Sequence, residues 1–145
     1  MSAPHVPSRK GSRSKARKRA LDILFESELQ GLSLGGSLAG RRELNDPPVN
    51  EYTVQLIRGI AEHQARIDEL VSTYAQGWSI ERMPAVDRNA LRIGVIEVMY
   101  VDDVRDAVAV SEAMVLVRDL STDESPNFVN GVLGNIVRNK PALSA

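Results

Sequence analysis

The chain has 145 residues, 43 % of them apolar, enough to bury one compact core or two small packed bundles without disulfides or metal ions. It contains no cysteine, which excludes disulfides, thiolate metal sites and cysteine nucleophiles and favours a reducing cytoplasm. No apolar run approaches the roughly 18 to 20 residues of a membrane span, and none directly follows the basic N-terminus, so we expect neither export nor membrane insertion.

The net charge of −1 hides a strong asymmetry between the N-terminus and the rest of the chain. Residues 1–21 contain seven of the 18 basic residues and none of the 19 acidic ones, a local charge of +7. The remainder has 11 basic against 19 acidic residues and carries −8. The basic segment is therefore a local feature set against an acidic body.

The N-terminal region predicts a flexible basic tail that leads into a helix. Residues 1–12 contain two prolines and a glycine without apolar periodicity, which is typical of a mobile tail. From Ser12 onward, apolar residues at helical spacing predict an amphipathic helix that ends near Gly31, with Ile23, Leu24 and Phe25 in the core. Residues 13–145 are then expected to form a single all-helical domain.

The middle of the chain predicts a short helix between chain breakers and then a long, uninterrupted helix. Residues 31–49 hold four glycines and a Pro-Pro pair but leave room for a short helix between these breakers. Residues 50–76 have apolar residues recurring at three and four positions, which predicts a long helix closed by Gly77.

The next segment predicts the central helix of the fold. Pro84 is suited to a helix start, and the run 90–99 keeps helical period while being apolar nearly all round. Three acids, Asp102, Asp103 and Asp106, end this helix and offer N-caps for the next one. The β-branched stretch 107–110 would also suit a strand, but no neighbouring segment alternates with period two to pair with it.

The last helix has a clear predicted start and stop. Ser125 is placed as its N-cap, Pro126 at its first position and Pro141 at its end. Gly131 and Gly134 inside it suggest close packing against another helix. The segment lacks the lysine and the preceding strand of a phosphate-cradling loop.

Two features point to nucleic-acid binding. The seven cations between Arg9 and Arg19 form a dense positive field for phosphates, although a solvated or membrane-surface basic helix has the same composition. Phe128 is placed beside the free N–H groups of a helix start, which suits an unstacked base and its phosphate, but a core phenylalanine fits the same pattern.

Patterns typical of catalysis are absent from the sequence. His5 lies in the tail and His63 stands alone in a helix, where we expect a partly exposed side chain without metal or triad partners. Adjacent acids are better explained as helix termini than as an acid/base pair. Trp78 is expected to be a core or interface aromatic residue.

Three segments together resemble the NusB family of transcription antitermination factors. The first is RSKAR over 13–17, which leads into ALDILF over 20–25. The second is AVDRNALRIGVIEVMY over 85–100, and the third is DESPNFVNGVLG over 123–134. The resemblance extends over nearly the whole chain. Ser111-Glu112-Ala113 replaces the usual NEA of the family.

The resemblance implies an all-α fold of about seven helices in two small bundles, without a cofactor or metal. It implies binding to the single-stranded boxA element of nascent ribosomal RNA, pairing with the small-subunit ribosomal protein NusE, and entry into an RNA polymerase antitermination complex. Self-association into a homodimer stays open.

The resemblance also assigns site residues, as does the basic segment of residues 1–21, which we call the basic arm. Those expected to bind RNA are Arg9, Lys10, Arg13, Lys15, Arg17, Lys18, Arg92, Ser125, Asn127 and Phe128. Those expected to face the protein partner are Phe25, Glu81 and Asp87. Phe25 replaces a frequent tyrosine, and Pro126 and Asn127 replace basic or imidazole side chains.

Two other classes of function remain as alternatives. As part of an enzyme, the chain would be the NusB-like domain of an rRNA cytosine methyltransferase, but it shows no Rossmann-type segment and no cysteine nucleophile. As a purely protein-binding helical module, it would carry the basic arm without using it.

Overall fold

The computed structural model describes residues 5–44 and 48–143, with only the backbone for 5–10 and 44. Over these ranges the chain forms six α-helices, one 3-10 turn and no strand, which confirms the predicted all-α class. The helices are α1 (His5–Gln30), α2 (Leu34–Leu44), α3 (Glu51–Tyr74), α4 (Ala85–Tyr100), α5 (Asp106–Leu120) and α6 (Ser125–Leu143), and the 3-10 turn is Ile80–Arg82. The chain divides into two compact units, Met1–Arg58 and Gly59–Ala145.

Helix α1 is longer at its N-terminus than the sequence pattern predicted. It begins at His5 rather than near Ser12, and Pro7 falls in its first turn, where the missing N–H of proline breaks no helical bond. Residues 1–4 of the predicted tail lie outside the described residues, and the flexibility of 5–12 stays a prediction. The helix ends at Gln30, directly before Gly31, as predicted.

The first unit is held together by the apolar stripe of α1. Ala16, Ala20, Ile23 and Leu24 are buried at the spacing that the sequence predicted. The Thr53 hydroxyl of α3 donates to the Ala16 carbonyl at 2.9 Å. An ion pair joins α2 to α1, with Arg41 Nε at 3.1 Å and Nη2 at 3.0 Å from the two Glu26 carboxylate oxygens.

Phe25 does not belong to this core, contrary to the sequence prediction. Its side chain is 43 % exposed, whereas Ile23 and Leu24 beside it are buried. Successive residues of an α-helix point about 100° apart, so a helix that is covered on one side only turns some of any three consecutive residues towards solvent. The two aliphatic residues occupy the inner face and Phe25 is turned outward.

Helix α4 is the centre of the second unit, where it packs against α5 and α6. Every residue from Asn89 to Val98 is buried, which confirms the predicted central helix. Gly94 lies at the contact with α6, where a Cβ would come within 2.6 Å of Leu133 Cδ1. The predicted close packing at the α6 glycines is wrong, because a Cβ on Gly131 meets nothing within 4 Å and one on Gly134 reaches only Arg138 of its own helix.

Three predicted helix ends differ in the structure. The N-cap of α5 is Arg105, and Asp106 lies one residue inside the helix. Ser125 is the first residue of α6 rather than its cap, since its hydroxyl serves another helix. Pro141 lies inside α6, which continues to Leu143, because one missing N–H does not end a helix whose backbone angles are otherwise kept.

Helix α3 bends within the second unit. His63 has non-helical angles, φ −113° and ψ 17°, and its ring stacks on that of Tyr100 with centroids 3.9 Å apart and planes 8° apart. His63 is partly exposed, as predicted.

A buried carboxylate joins three helices of the second unit. Asp87, in the first turn of α4, is 3 % exposed. Its Oδ1 accepts from the Ser121 hydroxyl at 2.6 Å and its Oδ2 from the Ser125 hydroxyl at 2.9 Å. Ser121 is the C-cap of α5 and Ser125 begins α6, so one side chain fixes both ends of the α5–α6 connection.

Replacing Gly94 should destabilise the protein although alanine is the better helix former. We expect Gly94→Ala to lower the free energy of unfolding by about 1–2 kcal/mol, because overpacking of buried Leu133 outweighs the gain in helix propensity. The matched control, Gly131→Ala on α6, should raise it by up to about 1 kcal/mol. Equal effects of the two variants in urea denaturation would contradict the close contact.

Removing the Asp87 carboxylate should lower the stability, because the buried Ser125 hydroxyl and the half-buried Ser121 hydroxyl lose an acceptor. We expect Asp87→Ala to lower the free energy of unfolding by about 2–3 kcal/mol, since hydrogen bonds to charged groups are the strong ones. Glu81→Ala, an exposed acid nearby in sequence, should change it by less than about 0.5 kcal/mol. Urea denaturation measures both variants. Equal urea midpoints for Asp87→Ala and Glu81→Ala would contradict this role of Asp87.

Candidate nucleic-acid interface

The basic residues of α1 do not all face outward. The Arg13 guanidinium lies over the Tyr52 ring, 4.2 Å from its centroid, and that of Arg17 lies 5.7 Å from the same centroid. Arg13 is half-buried and Arg17 only 4 % exposed. These cation–π contacts fasten α1 to the start of α3 within the first unit. Arg17 thus departs from its predicted role, because its side chain is packed inside the protein.

Other cations of α1 line or border a groove in the same unit. The groove has a volume of about 280 Å³ and is lined by Ser12, Lys15, Ala16, Arg19, Pro48, Asn50 and Thr53. Lys15 is exposed, and the Asn50 amide donates to the Ser12 hydroxyl at 3.4 Å. A lysine and an arginine beside neutral polar groups can bind a phosphate while the uncharged wall leaves room for a sugar or base.

Three further cations of the basic segment were predicted to bind RNA: Lys18, Arg9 and Lys10. Lys18 is exposed and forms an ion pair with Asp22 at 2.9 Å, a surface contact weak enough to exchange for a phosphate. The side chains of Arg9 and Lys10 lie outside the described residues. Their predicted contacts with RNA stay predictions.

A second groove lies in the second unit and contains Phe128. Its volume is about 210 Å³, and it is lined by Tyr74, Ala75, Gln76, Asn127, Phe128, Gly131, Val132 and Asn135. Phe128 is half-buried and Asn127 exposed, so the ring is neither a core residue nor fully free. Aromatic rings with amide side chains around them can stack on a base and hydrogen-bond its edge.

Two of the hydrogen-bond donors expected beside the Phe128 ring bind other groups of the protein. They are the Phe128 N–H and the Ser125 hydroxyl. The Phe128 N–H bonds to the Glu124 carbonyl at 3.1 Å, within the first turn of α6. The Ser125 hydroxyl donates to Asp87, and Ser125 is buried. Ser125 therefore holds α6 in place rather than contacting RNA as predicted, and the side-chain amides of Asn127 and Asn135 line the groove.

Arg92 also departs from its predicted RNA contact. Its guanidinium forms a bidentate pair with Asp68, with Nε to Oδ1 at 2.9 Å and Nη2 to Oδ2 at 3.0 Å, and Nη1 donates to Asn89 Oδ1 at 2.8 Å. The residue is 6 % exposed. The segment Ala90-Leu91-Arg92 of α4 thus supplies an internal ion pair of the second unit.

Sequence reasoning missed the surface position of Trp78. Its ring is 51 % exposed and tilted by 44° against Phe128, with centroids 5.5 Å apart. Of the two predicted alternatives, the core position is excluded, and the interface position stays a prediction. One sequence signal could have found it: Trp78 follows Gly77 in a short connection and belongs to no apolar stripe.

The predicted partner-facing residues fall into two groups. Phe25 and Glu81 are exposed, and Phe25 forms an apolar patch with Leu29 and Leu32 at the end of α1, which we call the α1 patch. Leu32 folds back onto α1 through its N–H to the Ser27 carbonyl at 3.0 Å. Asp87 departs from the prediction, because its buried carboxylate binds hydroxyls of its own chain.

Over residues 5–44 and 48–143, no group of three or more histidine, aspartate or glutamate side chains is arranged to hold a metal ion. In the same part of the chain, no helix combines the length and the apolar character needed to cross a membrane.

Solved structures share this fold at recognisable sequence identity. NusB from T. maritima matches with a TM-score of 0.79 and 31 % identity, covering 92 % of this chain and 97 % of that one. A crystal structure of the antitermination factors NusB and NusE in complex with dsRNA matches with a TM-score of 0.76 and 28 % identity, covering 87 % and 96 %.

Sequence comparison gives closer relatives. A transcription antitermination protein NusB of Nocardioides is 63 % identical over 133 residues, covering 92 % of this chain and 98 % of the relative. One of Thermobifida fusca is 53 % identical over 136 residues, covering 94 % and 96 %. The model of the NusB family matches residues 14–138, and with the helical architecture described above this shows that the chain belongs to the NusB family.

Proposed function

We propose that this protein is a transcription antitermination factor that binds the boxA element of nascent ribosomal RNA. It pairs with the ribosomal protein NusE, and the complex joins RNA polymerase and keeps it from terminating. The protein acts by binding and catalyses no reaction, and it works in the cytoplasm, where the RNA emerges.

The observation that carries this proposal is the groove at Phe128. A half-exposed phenylalanine ring lies in it among the side chains of Asn127 and Asn135. A half-exposed ring can stack on a base while its buried part stays packed in the protein. A ring with amides beside it fits a single unstacked base better than a duplex, whose bases are already stacked.

The basic face of α1 supports the same function by supplying affinity for phosphates. Lys15 and Arg19 line the groove of the first unit, and Lys18 is exposed beside them. Phosphate contacts give affinity without sequence preference, whereas contacts to bases give the preference. The two grooves therefore divide these tasks between them.

The α1 patch suits the protein partner. Phe25 and Leu29 are one helical turn apart and both exposed, so they present one apolar face. Phenylalanine is enriched in the cores of protein interfaces. Glu81, an exposed acid of the second unit, is a separate prediction for the partner, because exposed charges of this kind act on association rate. A second copy of this chain is the competing occupant of the patch.

Gel filtration of the protein with a NusE homologue and boxA RNA tests the whole proposal. We expect a single ternary peak with single-stranded boxA and a smaller shift with a scrambled strand or a boxA duplex. A protein that elutes with the NusE homologue but never with RNA would be a protein-binding module only. A homodimer that the NusE homologue does not dissociate would assign the α1 patch to self-association.

Neutralising Lys15 should reduce the salt dependence of RNA binding. Each phosphate contact on a single strand contributes about −0.7 to the slope of log affinity against log salt concentration, so Lys15→Gln should make the slope less steep by about 0.7. Lys140→Gln is the control, because Lys140 is engaged with Asp106 at 3.0 Å in the other unit. An unchanged slope in Lys15→Gln would remove this groove from the RNA surface.

The two phenylalanines of the chain should have separate effects. Phe128→Ala should weaken boxA binding about ten-fold or more, about 1.4 kcal/mol, and this loss should persist at high salt because stacking is not screened. Its free energy of unfolding should fall by less than about 1.5 kcal/mol, since the ring is partly exposed.

Phe25→Ala is the matched control and should weaken binding of the NusE homologue while leaving RNA affinity unchanged. Isothermal titration with each ligand measures both. If Phe128→Ala unfolds the protein while its folded fraction binds boxA normally, the ring is structural.

A further inference from the structure

Trp78 is a large apolar side chain in an exposed position. It is the only tryptophan of the chain, and about half of its surface is accessible to solvent. The residues after it return to the interior, since Ile80 and Met83 are buried. The connection between α3 and α4 therefore has apolar anchors of its own and does not need the Trp78 ring for its core.

The backbone before Trp78 holds the ring beside the second groove. Gln76 has φ of 52° and Gly77 of 94°, and the Trp78 N–H closes the turn onto the Ala75 carbonyl at 3.3 Å. Gln76 itself lines the groove. A left-handed angle is unfavourable for glutamine, so the chain keeps a costly turn at the point where the tryptophan follows.

The two rings cannot hold one base between them. Stacked rings need about 3.5 Å on each side, whereas the Trp78 and Phe128 centroids are only 5.5 Å apart and their planes are tilted by 44°. Each ring is nevertheless partly exposed beside this contact, since Trp78 is 51 % exposed and Phe128 is half-buried, so each can offer exposed ring surface to a base of its own. Two tilted faces suit two bases that are not stacked on each other.

We infer that Trp78 is a second RNA-binding aromatic residue, which stacks on a base next to the one that Phe128 receives. The inference rests on the proposed function, because it assigns a further contact to the same RNA. It extends the site from one unstacked base to two neighbouring ones. Aromatic stacking tolerates any base, so Trp78 adds affinity and the amides of Gln76, Asn127 and Asn135 supply preference.

The natural fluorescence of the single tryptophan gives a direct measurement on the unmodified protein. Titration with a short single-stranded boxA RNA should change the Trp78 emission and saturate with the same dissociation constant as a filter-binding assay. The NusE homologue alone should not cause this change. RNA binding that leaves the emission unchanged would overturn the inference while the proposed function stands.

Substitution then separates a contact from a supporting role. Trp78→Ala should weaken boxA binding about five-fold or more in the wild-type background and again in Phe128→Ala, whereas Trp78→Phe should retain most of the affinity. If Trp78 only positioned Phe128, its replacement would have no effect in the Phe128→Ala background. Tyr100→Ala is the control, since Tyr100 is also exposed but stacks on His63.

The remaining outcomes also decide the matter. If Trp78→Ala lowers affinity for the NusE homologue and not for RNA, the ring belongs to the protein interface and the inference fails. If Trp78→Ala melts early, the emission change of the wild type and the affinity of Trp78→Phe still test the contact. If the wild type binds no RNA, the proposed function falls, and the inference falls with it.

Discussion

Helix α4 is buried along most of its length, so the polar side chains that it carries must find partners within the chain. Asp87 binds two serine hydroxyls and Arg92 forms a bidentate pair with Asp68. Removing one partner would leave a buried charge without its counter-charge or hydrogen bonds. The resulting loss of stability would exceed the stability that the intact pair contributes. Segment 85–100, one of the three that carry the family resemblance, therefore builds the interior of the second unit. The surfaces available for ligands lie on other elements.

The basic segment has an inner face that packs within the first unit and an outer face that is open to solvent, because the cations lie on different sides of α1. Arg13 and Arg17 stack on Tyr52 inside the first unit, whereas Lys15 and Lys18 point to solvent. A guanidinium keeps its charge when it packs on a ring, so the inner arginines still contribute to the positive potential of the arm. The outer lysines are the ones whose charged groups are accessible to a ligand.

The aromatic residues show why local pattern alone does not locate a binding surface. Phe25 was expected in the core by its helical pattern and at a protein interface by the resemblance, and its side chain is exposed. Trp78 was expected in a core or an interface, and it lies at the surface beside Phe128. Helical spacing tells which residues share a face of one helix, but the identity of the neighbouring element decides whether that face is covered. The pairing of Trp78 with Phe128 joins a turn to a distant helix, and nothing in either segment encodes it.

The sequence by itself determined the all-helical class, the end of α1 at Gly31, the burial of α4 and the basic arm, because helix periodicity, chain breakers and charge are properties of neighbouring residues. Only the tertiary structure decided that Arg17, Arg92 and Asp87 turn inward. It also decided that Gly94 rather than Gly131 is the point of closest helix approach. Burial and partner choice depend on packing between segments far apart in the chain, and no local pattern contains that information.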